Sequence, residues 1–369
     1  MNVPLCKPDI SELELDAVRR VLLSGNLSHG NEVSAFEQSF AELTGCSDAI
    51  AFSSWTTAAY LVFKYIAEMT GGGEVIMPSY TFSASANAAK TAGLIPRFAE
   101  VEWETHEITT KTIEPLVSSD TVAIMPVHFA GLVCEMGPIT QLAEEYALPI
   151  IEDSAETLGA TSGGKQAGSF GVGIFSFYST KNITTGEGGM VTTNDKDLAE
   201  WLRVRMAHGI KKGSYGTNSW NRNAVAPGYN FRLSNMNAAL GNVQLSRLAE
   251  LNGNRNRVAQ HYYSELKDVI SIELPTLLPP EEHSYQMYVI KVADYVRDHM
   301  VWMLNEAGVG ASVHFDPPVH LQTAYRDGGV VLPVTEQLAS SSISLPISSI
   351  QTEDETQYVI DTLKTLLRG

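Results

Sequence analysis

The chain has 369 residues, 44% of them apolar, and its 42 acidic side chains against 25 lysines and arginines leave a formal charge of −17. A deficit of that size argues against a nucleic acid or an anionic membrane surface as partner. No apolar run is long enough to span a bilayer or to lead a secreted chain, so a soluble cytoplasmic protein is expected. Cys6, Cys46 and Cys134 are scattered and form no C-x-x-C pair, which supports neither a disulfide framework nor a metal site.

In chain order, Ser11 and Glu14 read as the capping box of a first helix, with Ile10 and Leu15 as its hydrophobic staple. Leu15, Val18 and Leu22 are expected on the inner face, and Gly25 ends the helix. A loop through Ser28, His29 and Gly30 leads to a second helix with Val33, Phe36, Phe40 and Leu43 inside. Strands then alternate with helices: strands are expected over 49–52, 74–77, 96–101, 121–127 and 148–151, and helices over 57–68, 83–91 and 139–146. That alternation predicts an α/β sheet covered on both faces. A strand from Val172 to Tyr178 and another from Met190 to Thr193 flank a glycine-rich turn. Helices follow over 195–207 and 235–251, separated by a long loop at 209–228. From about Arg255 the pattern changes to a smaller α+β unit, so the expected division is a large domain over 1–250 and a small one over 251–369.

Three features carry chemistry. Lys181 follows an apolar strand inside a tight polar turn, which suits either a Schiff-base amine or an ordinary solvated lysine. Asp153 ends a strand at the edge where parallel sheets place ligands, and reads either as a ligand carboxylate or as a helix cap. Ser53 to Thr57 lies between a strand and a helix, where backbone N–H groups and hydroxyls make either a phosphate cradle or a plain cap. No P-loop run occurs. A lysine, an acid and a phosphate cradle together describe a pyridoxal 5′-phosphate site. The lysine forms the Schiff base, the acid keeps the pyridine nitrogen protonated, and the cradle holds the phosphate.

These residues resemble those of the DegT/DnrJ/EryC1/StrS sugar aminotransferases. The match runs from Gly25–Gly30 to His314–His320. It is carried by Glu152-Asp153-Ser154-Ala155-Glu156-Thr157-Leu158-Gly159, by Ser176 to Asn182 with Gly186-Glu187-Gly188-Gly189, and by Gly228 to Asn235. The resemblance implies the fold-type-I α/β architecture, in which a large domain with a mostly parallel seven-stranded sheet carries a smaller α+β C-terminal domain. It implies Lys181 as Schiff-base lysine and proton shuttle, Asp153 as partner of the pyridinium nitrogen, and Ser176 with the Trp55–Thr56 backbone at the phosphate. Asn230 would reach that phosphate from the neighbouring subunit of a homodimer, and Phe82 would stack on the cofactor ring. Glu156 stands near the ring oxygen where many members carry Gln or His. Trp55 replaces a commoner Gly or Ala, and its side chain is expected to narrow or floor the pocket.

The activity so implied is transfer of an amino group from L-glutamate, through pyridoxamine phosphate, to a keto group at C3 or C4 of a nucleotide-linked sugar. Ser28, His29, His314 and His320 are candidates for the substrate by their place in family loops. Lys211 and Lys212 either meet a diphosphate or are solvated. A pyridoxal-phosphate-dependent sugar dehydratase is an alternative, against which Lys181 speaks because that branch carries histidine there. A non-catalytic regulatory protein is another, against which the pairing of Lys181 with Asp153 speaks.

Overall fold

The computed structural model describes residues 1–211, 222–276, 282–326 and 329–368. Helices α1 (Glu12–Ser24) and α2 (Asn31–Thr44) precede β1 (Asp48–Phe52). Next come α3 (Trp55–Thr70), β2 (Glu74–Pro78), α4 (Ala84–Ala92), β3 (Ile95–Ala99), α5 (Thr110–Ile113) and β4 (Thr121–Ile124). After α6 (Met136–Glu145) and β5 (Ile151–Asp153), a small hairpin of β6 (Thr161–Ser162) and β7 (Lys165–Gln166) leads to β8 (Val172–Ser176) and β9 (Gly189–Thr193). Helices α7 (Lys196–Arg205), α8 (Asn235–Ser246) and α9 (Leu248–Leu266) carry the chain onward. The C-terminal part holds β10 (Tyr288–Lys291), α10 (Asp294–Glu306), α11 (Pro333–Ser341), β11 (Ser342–Leu345) and α12 (Glu353–Leu366).

Among the described residues, β1-β9-β8-β5 and β3-β2-β4 form two ladders. Parallel bridges from Ile124 to Ile150 and from Val127 to Asp153 join them into one seven-stranded sheet. Only β9 runs against its neighbours, so the sheet is mostly parallel, as expected. Both faces are covered because successive side chains point to opposite sides of a strand. Val75 and Met77 of β2 enter the core under α3 and α4, while Ile76 enters the one under α6. Likewise Ile174 of β8 joins the first of these cores, and its neighbour Phe175 packs with Phe36 and Phe40 of α2.

The antiparallel pair β10–β11 and helices α9, α10 and α12 share a separate core, to which Val3 also contributes through a parallel bridge to Val309. Helix α9 spans 248–266 without a break, across the expected division at residue 250.

Two expectations need correction. The capping box of α1 forms, with Ser11 N–H donating to Glu14 Oε2 at 2.8 Å, but the inner face is Glu14, Ala17 and Val21, while Leu15 and Leu22 are exposed. The cause is polar: Glu14 Oε1 accepts from Gln244 and Arg247, each at 2.8 Å, and small Ala17 packs on Ala239 of α8. Burial pushes the Glu14 carboxyl up, but the bonds from Ser11, Arg247 and Gln244 outweigh it and hold the group down at about 2. The helix expected over 235–251 is two helices meeting at Arg247, which binds Asp9, Glu14 and Glu250.

Candidate active site

The carboxyl ends of β2, β5 and β8 and the end of β1 lie along one edge of the sheet, and each delivers a residue there. At the end of β5 two consecutive acids part. Glu152 turns inward, fully buried, and accepts backbone N–H groups of Gly168, Phe170 and Gly171 at 2.7–2.9 Å, with His128 Nε2 at 3.1 Å. It fixes the loop before β8. Asp153 faces the edge and is 5% exposed. Its Oδ2 accepts the Ser85 hydroxyl at 2.9 Å and its Oδ1 the Ala155 N–H at 3.2 Å. Burial drives its carboxyl up to about 6; the Ser85 and Ala155 bonds and the Lys181 charge oppose that rise, while Glu156 adds to it.

Lys181 projects from the turn after β8. Its Nζ lies 3.1 Å from Glu156 Oε1, forming an ion pair that is mostly shielded from solvent. The other Glu156 oxygen accepts the Ala130 N–H at 2.8 Å, and Ser284 Oγ donates to the Glu156 carbonyl at 3.0 Å. The turn is pinned by its own backbone: Lys181 N–H donates to Tyr178 O at 3.0 Å, and Thr180 O accepts Gln286 Nε2 at 3.3 Å. The Asn182 amide donates to Asn252 Oδ1 and Ser284 O, each at 2.8 Å.

Helix α3 begins at the cradle. Ser54 caps it by accepting the Thr57 N–H at 3.2 Å, which leaves the N–H groups of Trp55 and Thr56 in the first turn as donors for an anion. Trp55 does not narrow the site. Its indole is 6% exposed and turned down into the core, where Nε1 donates to Ile174 O at 3.1 Å and ties the helix start to β8. Ser176 is half-buried at the end of the same strand.

Phe82 is 65% exposed rather than a core residue, and it approaches Phe315 with ring centroids 6.2 Å apart. His314 lies where the charges of Glu156 and Lys181 act on it, with Nδ1 at 2.8 Å from Ser344 Oγ, and burial lowers its pKa. The structure therefore places His314 within electrostatic reach of the lysine. His320 is another matter: it is 2% exposed and spends Nδ1 on Ser79 Oγ at 2.6 Å and Nε2 on Glu336 at 3.2 Å, so neither ring nitrogen is left for a substrate.

Ser28 is exposed and its carbonyl accepts the Asn235 N–H at 2.7 Å. His29 and Lys211 line a separate cleft with Arg222 and Arg232, beside Asn230. Lys212 lies outside the described residues. Sequence reasoning missed Ser85, Glu152, His128 and the Ala130 and Ser284 contacts. Of these only Ser85 carried a signal, three residues after Phe82 at the start of a small-residue helix.

The residues present fit pyridoxal phosphate. A buried carboxylate, an amine on a fixed turn and a helix N-terminus whose first-turn donors are unspent among the described residues share one sheet edge. The cradle is also approached so closely by β9 that a Cβ at Gly189 would fall 2.6–2.7 Å from Ser54 and Trp55 backbone atoms.

Solved structures resemble the whole chain. Helicobacter pylori PseC, an aminotransferase involved in the biosynthesis of pseudoaminic acid, matches at TM-score 0.95 and 26% identity over 100% of both chains. The aminotransferase TlmJ from Streptoalloteichus hindustanus matches at 0.93 and 30% identity over 99% of each. Spr1654 from Streptococcus pneumoniae, in its PMP form, matches at 0.93 and 27% over 100% of this chain and 98% of its own. The fold is thus the expected fold type I, and pyridoxal phosphate is the cofactor. The family model of the DegT/DnrJ/EryC1/StrS aminotransferases matches residues 8–364. Lys181, Asp153 and the cradle therefore belong to a pyridoxal-phosphate-dependent sugar aminotransferase, a member of the DegT/DnrJ/EryC1/StrS family.

Proposed function

We propose that the chain transfers the amino group of L-glutamate to the C3 or C4 keto carbon of a nucleotide-linked deoxysugar, for polysaccharide, glycan or antibiotic sugar synthesis. Its working unit is a homodimer whose sites are shared across the interface. The observation that carries this reading is the Lys181–Glu156 ion pair at 3.1 Å beside the buried Asp153 carboxylate.

Pyridoxal phosphate, when bound, supplies an electron sink for the charge left on a carbon that loses a proton. The protein groups do the rest. Asp153, the buried carboxyl at the end of β5, would accept the ring N–H and keep that proton in place by its charge. Lys181 Nζ would take a proton from the amine-bearing carbon and return it at the carbon on the far side of the transferred nitrogen, a general acid–base role that needs a free amine on a fixed backbone. Glu156 orients that amine, since its other oxygen is anchored on Ala130 N–H. The first-turn N–H groups of α3 and Ser176 hold the phosphate, and the exposed Phe82 ring covers the cofactor face. His314 stands at the substrate side.

The test is spectroscopic and then chemical. The loaded protein is expected to absorb in the visible, to lose that band with borohydride or in Lys181→Ala, and to bleach with L-glutamate while releasing 2-oxoglutarate. Labelled glutamate offered with a panel of nucleotide-linked keto sugars then identifies the acceptor. A protein that stays colourless with pyridoxal phosphate, or that bleaches with no amino acid, defeats the reading.

A further inference from the structure

The segment from Val313 to Pro318 is neither helix nor strand, so no ladder of backbone bonds fixes it, yet it carries His314 and Phe315. Residues just past the end of β2 hold its two ends. Tyr80 Oη donates to His314 O at 2.5 Å. Val319 N–H donates to Ser79 O at 3.0 Å, and His320 N–H to Ser79 Oγ at 2.9 Å.

The middle of the segment is held from the other side, by Arg297 of α10. This arginine is 4% exposed, and every arm of its guanidinium is spent. Nη2 donates to Asp316 Oδ2 and Nη1 to Ala339 O, both at 2.5 Å, while Nε donates to Asp298 Oδ1 at 2.6 Å. Ala339 O is one of the last carbonyls of α11, which lack a partner in their own helix and favour a cation. Asp298 and Ala339 sit on helices that hold their own shape. Of the three acceptors, only Asp316 belongs to the irregular segment, so it is the one that Arg297 locates.

Phe315 adjoins Asp316 and packs among three rings, its centroid 6.2 Å from that of Phe82 and 6.3 Å from those of Tyr80 and Phe129. Phe82 is the ring that covers the cofactor face in the proposed function. Phe129 precedes Ala130, whose N–H anchors Glu156. A shift of the segment therefore reaches both sides of the Lys181 site. Among the described residues, Arg297 itself bonds to none of Lys181, Glu156, Asp153 or Ser176.

We propose that Arg297 is a positioning residue for the substrate: through Asp316 it fixes the His314–Phe315 strip against Phe82, and that strip sets how the amino donor and then the keto acceptor lie at Lys181. This rests on the proposed function, in which both substrates pass in turn through one site.

The test uses the loaded protein with L-glutamate as probe, following the bleaching of the visible band in a single turnover. It yields a saturating rate and an apparent Kd, whose ratio reports how well the donor is placed. Asp316→Asn keeps an oxygen for Arg297 but gives up the charge, while Arg297 retains Asp298 and Ala339 O. It is expected to melt close to wild type and to load pyridoxal phosphate equally well. The ratio of rate to Kd is expected to fall about tenfold, as for the loss of one charge-assisted bond. Arg297→Lys keeps the charge but not the fork, and is expected to lose part of the same ratio. Adding Asp316→Asn to Phe315→Leu is expected to cost little beyond Phe315→Leu alone, because the acid acts through that ring. Wild-type bleaching in Asp316→Asn, a fall matched by lost cofactor loading and melting temperature, or additive losses in the double variant overturns the positioning role. A wild-type protein that loads pyridoxal phosphate and does not bleach with L-glutamate overturns the underlying function instead.

Discussion

Ser85 Oγ donates to Asp153 Oδ2 at 2.9 Å, and both side chains are buried. The bond opposes the burial that drives the Asp153 carboxyl up to about 6. Removing a donor to a charged group costs about 1.5–3 kcal/mol. In Ser85→Ala the acid limb of the kcat/KM profile is therefore expected to move upward by about one pH unit or more. Activity at pH 6 falls while that at pH 8.5 is nearly kept. A uniform loss at all pH values would mean that Ser85 serves packing alone.

Asp153 itself weakens the empty fold. Its carboxyl titrates near 3.8 when unperturbed and near 6 in the folded chain. Between those values the folded state holds a proton that the unfolded state has lost, so stability falls as pH rises through that window. Above pH 6 the cost is fully present, about 3 kcal/mol by linkage. Cofactor-free Asp153→Asn is accordingly expected to resist denaturant better than wild type at pH 8 and to lose that advantage near pH 4, while losing turnover. Denaturation midpoints of both apoproteins across pH 4–8 measure this; parallel curves would refute it.

That pair also shows what was legible in the chain. Glu152 and Asp153 look alike in sequence, and only period-two alternation separates the one that binds a loop from the one that faces ligands. Lys181 and the cradle stood out because their chemistry is local: a strand, a turn, a helix start. The partners that aim them are not local. Ala130 and Ser284 reach Glu156 across 26 and 128 residues, and Ser85 reaches Asp153 across 68. His320 was misread for the same reason, since its location in a family loop says nothing of Ser79, 241 residues away, which occupies its ring. Helix α1 was misread because apolar periodicity selects leucines, whereas this helix is anchored by a carboxylate that meets Gln244 and Arg247.

Glu156 has two separable jobs, and two substitutions divide them. Glu156→Gln keeps an oxygen for the Ala130 N–H but gives up the charge that faces Lys181. Glu156→Ala also leaves the Ala130 N–H buried without a partner, a cost of about 1–3 kcal/mol. The glutamine variant is expected to melt close to wild type with kcat reduced, and the alanine variant to lose both kcat and thermal stability. Equal stability of the two would remove the Ala130 anchor from the account.

Gly189 is required by space alone. A Cβ there would lie 2.6 Å from the Ser54 carbonyl carbon and 2.7 Å from Trp55 N, and both are backbone atoms at the mouth of the cradle, unable to swing aside as a side chain would. In Gly189→Ala the start of α3 must move away from β9. The shift is small, yet phosphate anchoring depends on N–H groups aimed at one point, and Trp55 Nε1 on Ile174 O ties the same turn to β8 and resists the movement. The variant is expected to stay folded, losing about 1–3 kcal/mol as overpacked sites do, and to bind pyridoxal phosphate more weakly. Inorganic phosphate, which competes for the cradle and not for Lys181, separates the two effects. It should slow cofactor loading in wild type and have little effect in Gly189→Ala. Equal inhibition of both would place the phosphate elsewhere than at the Ser54–Thr56 turn.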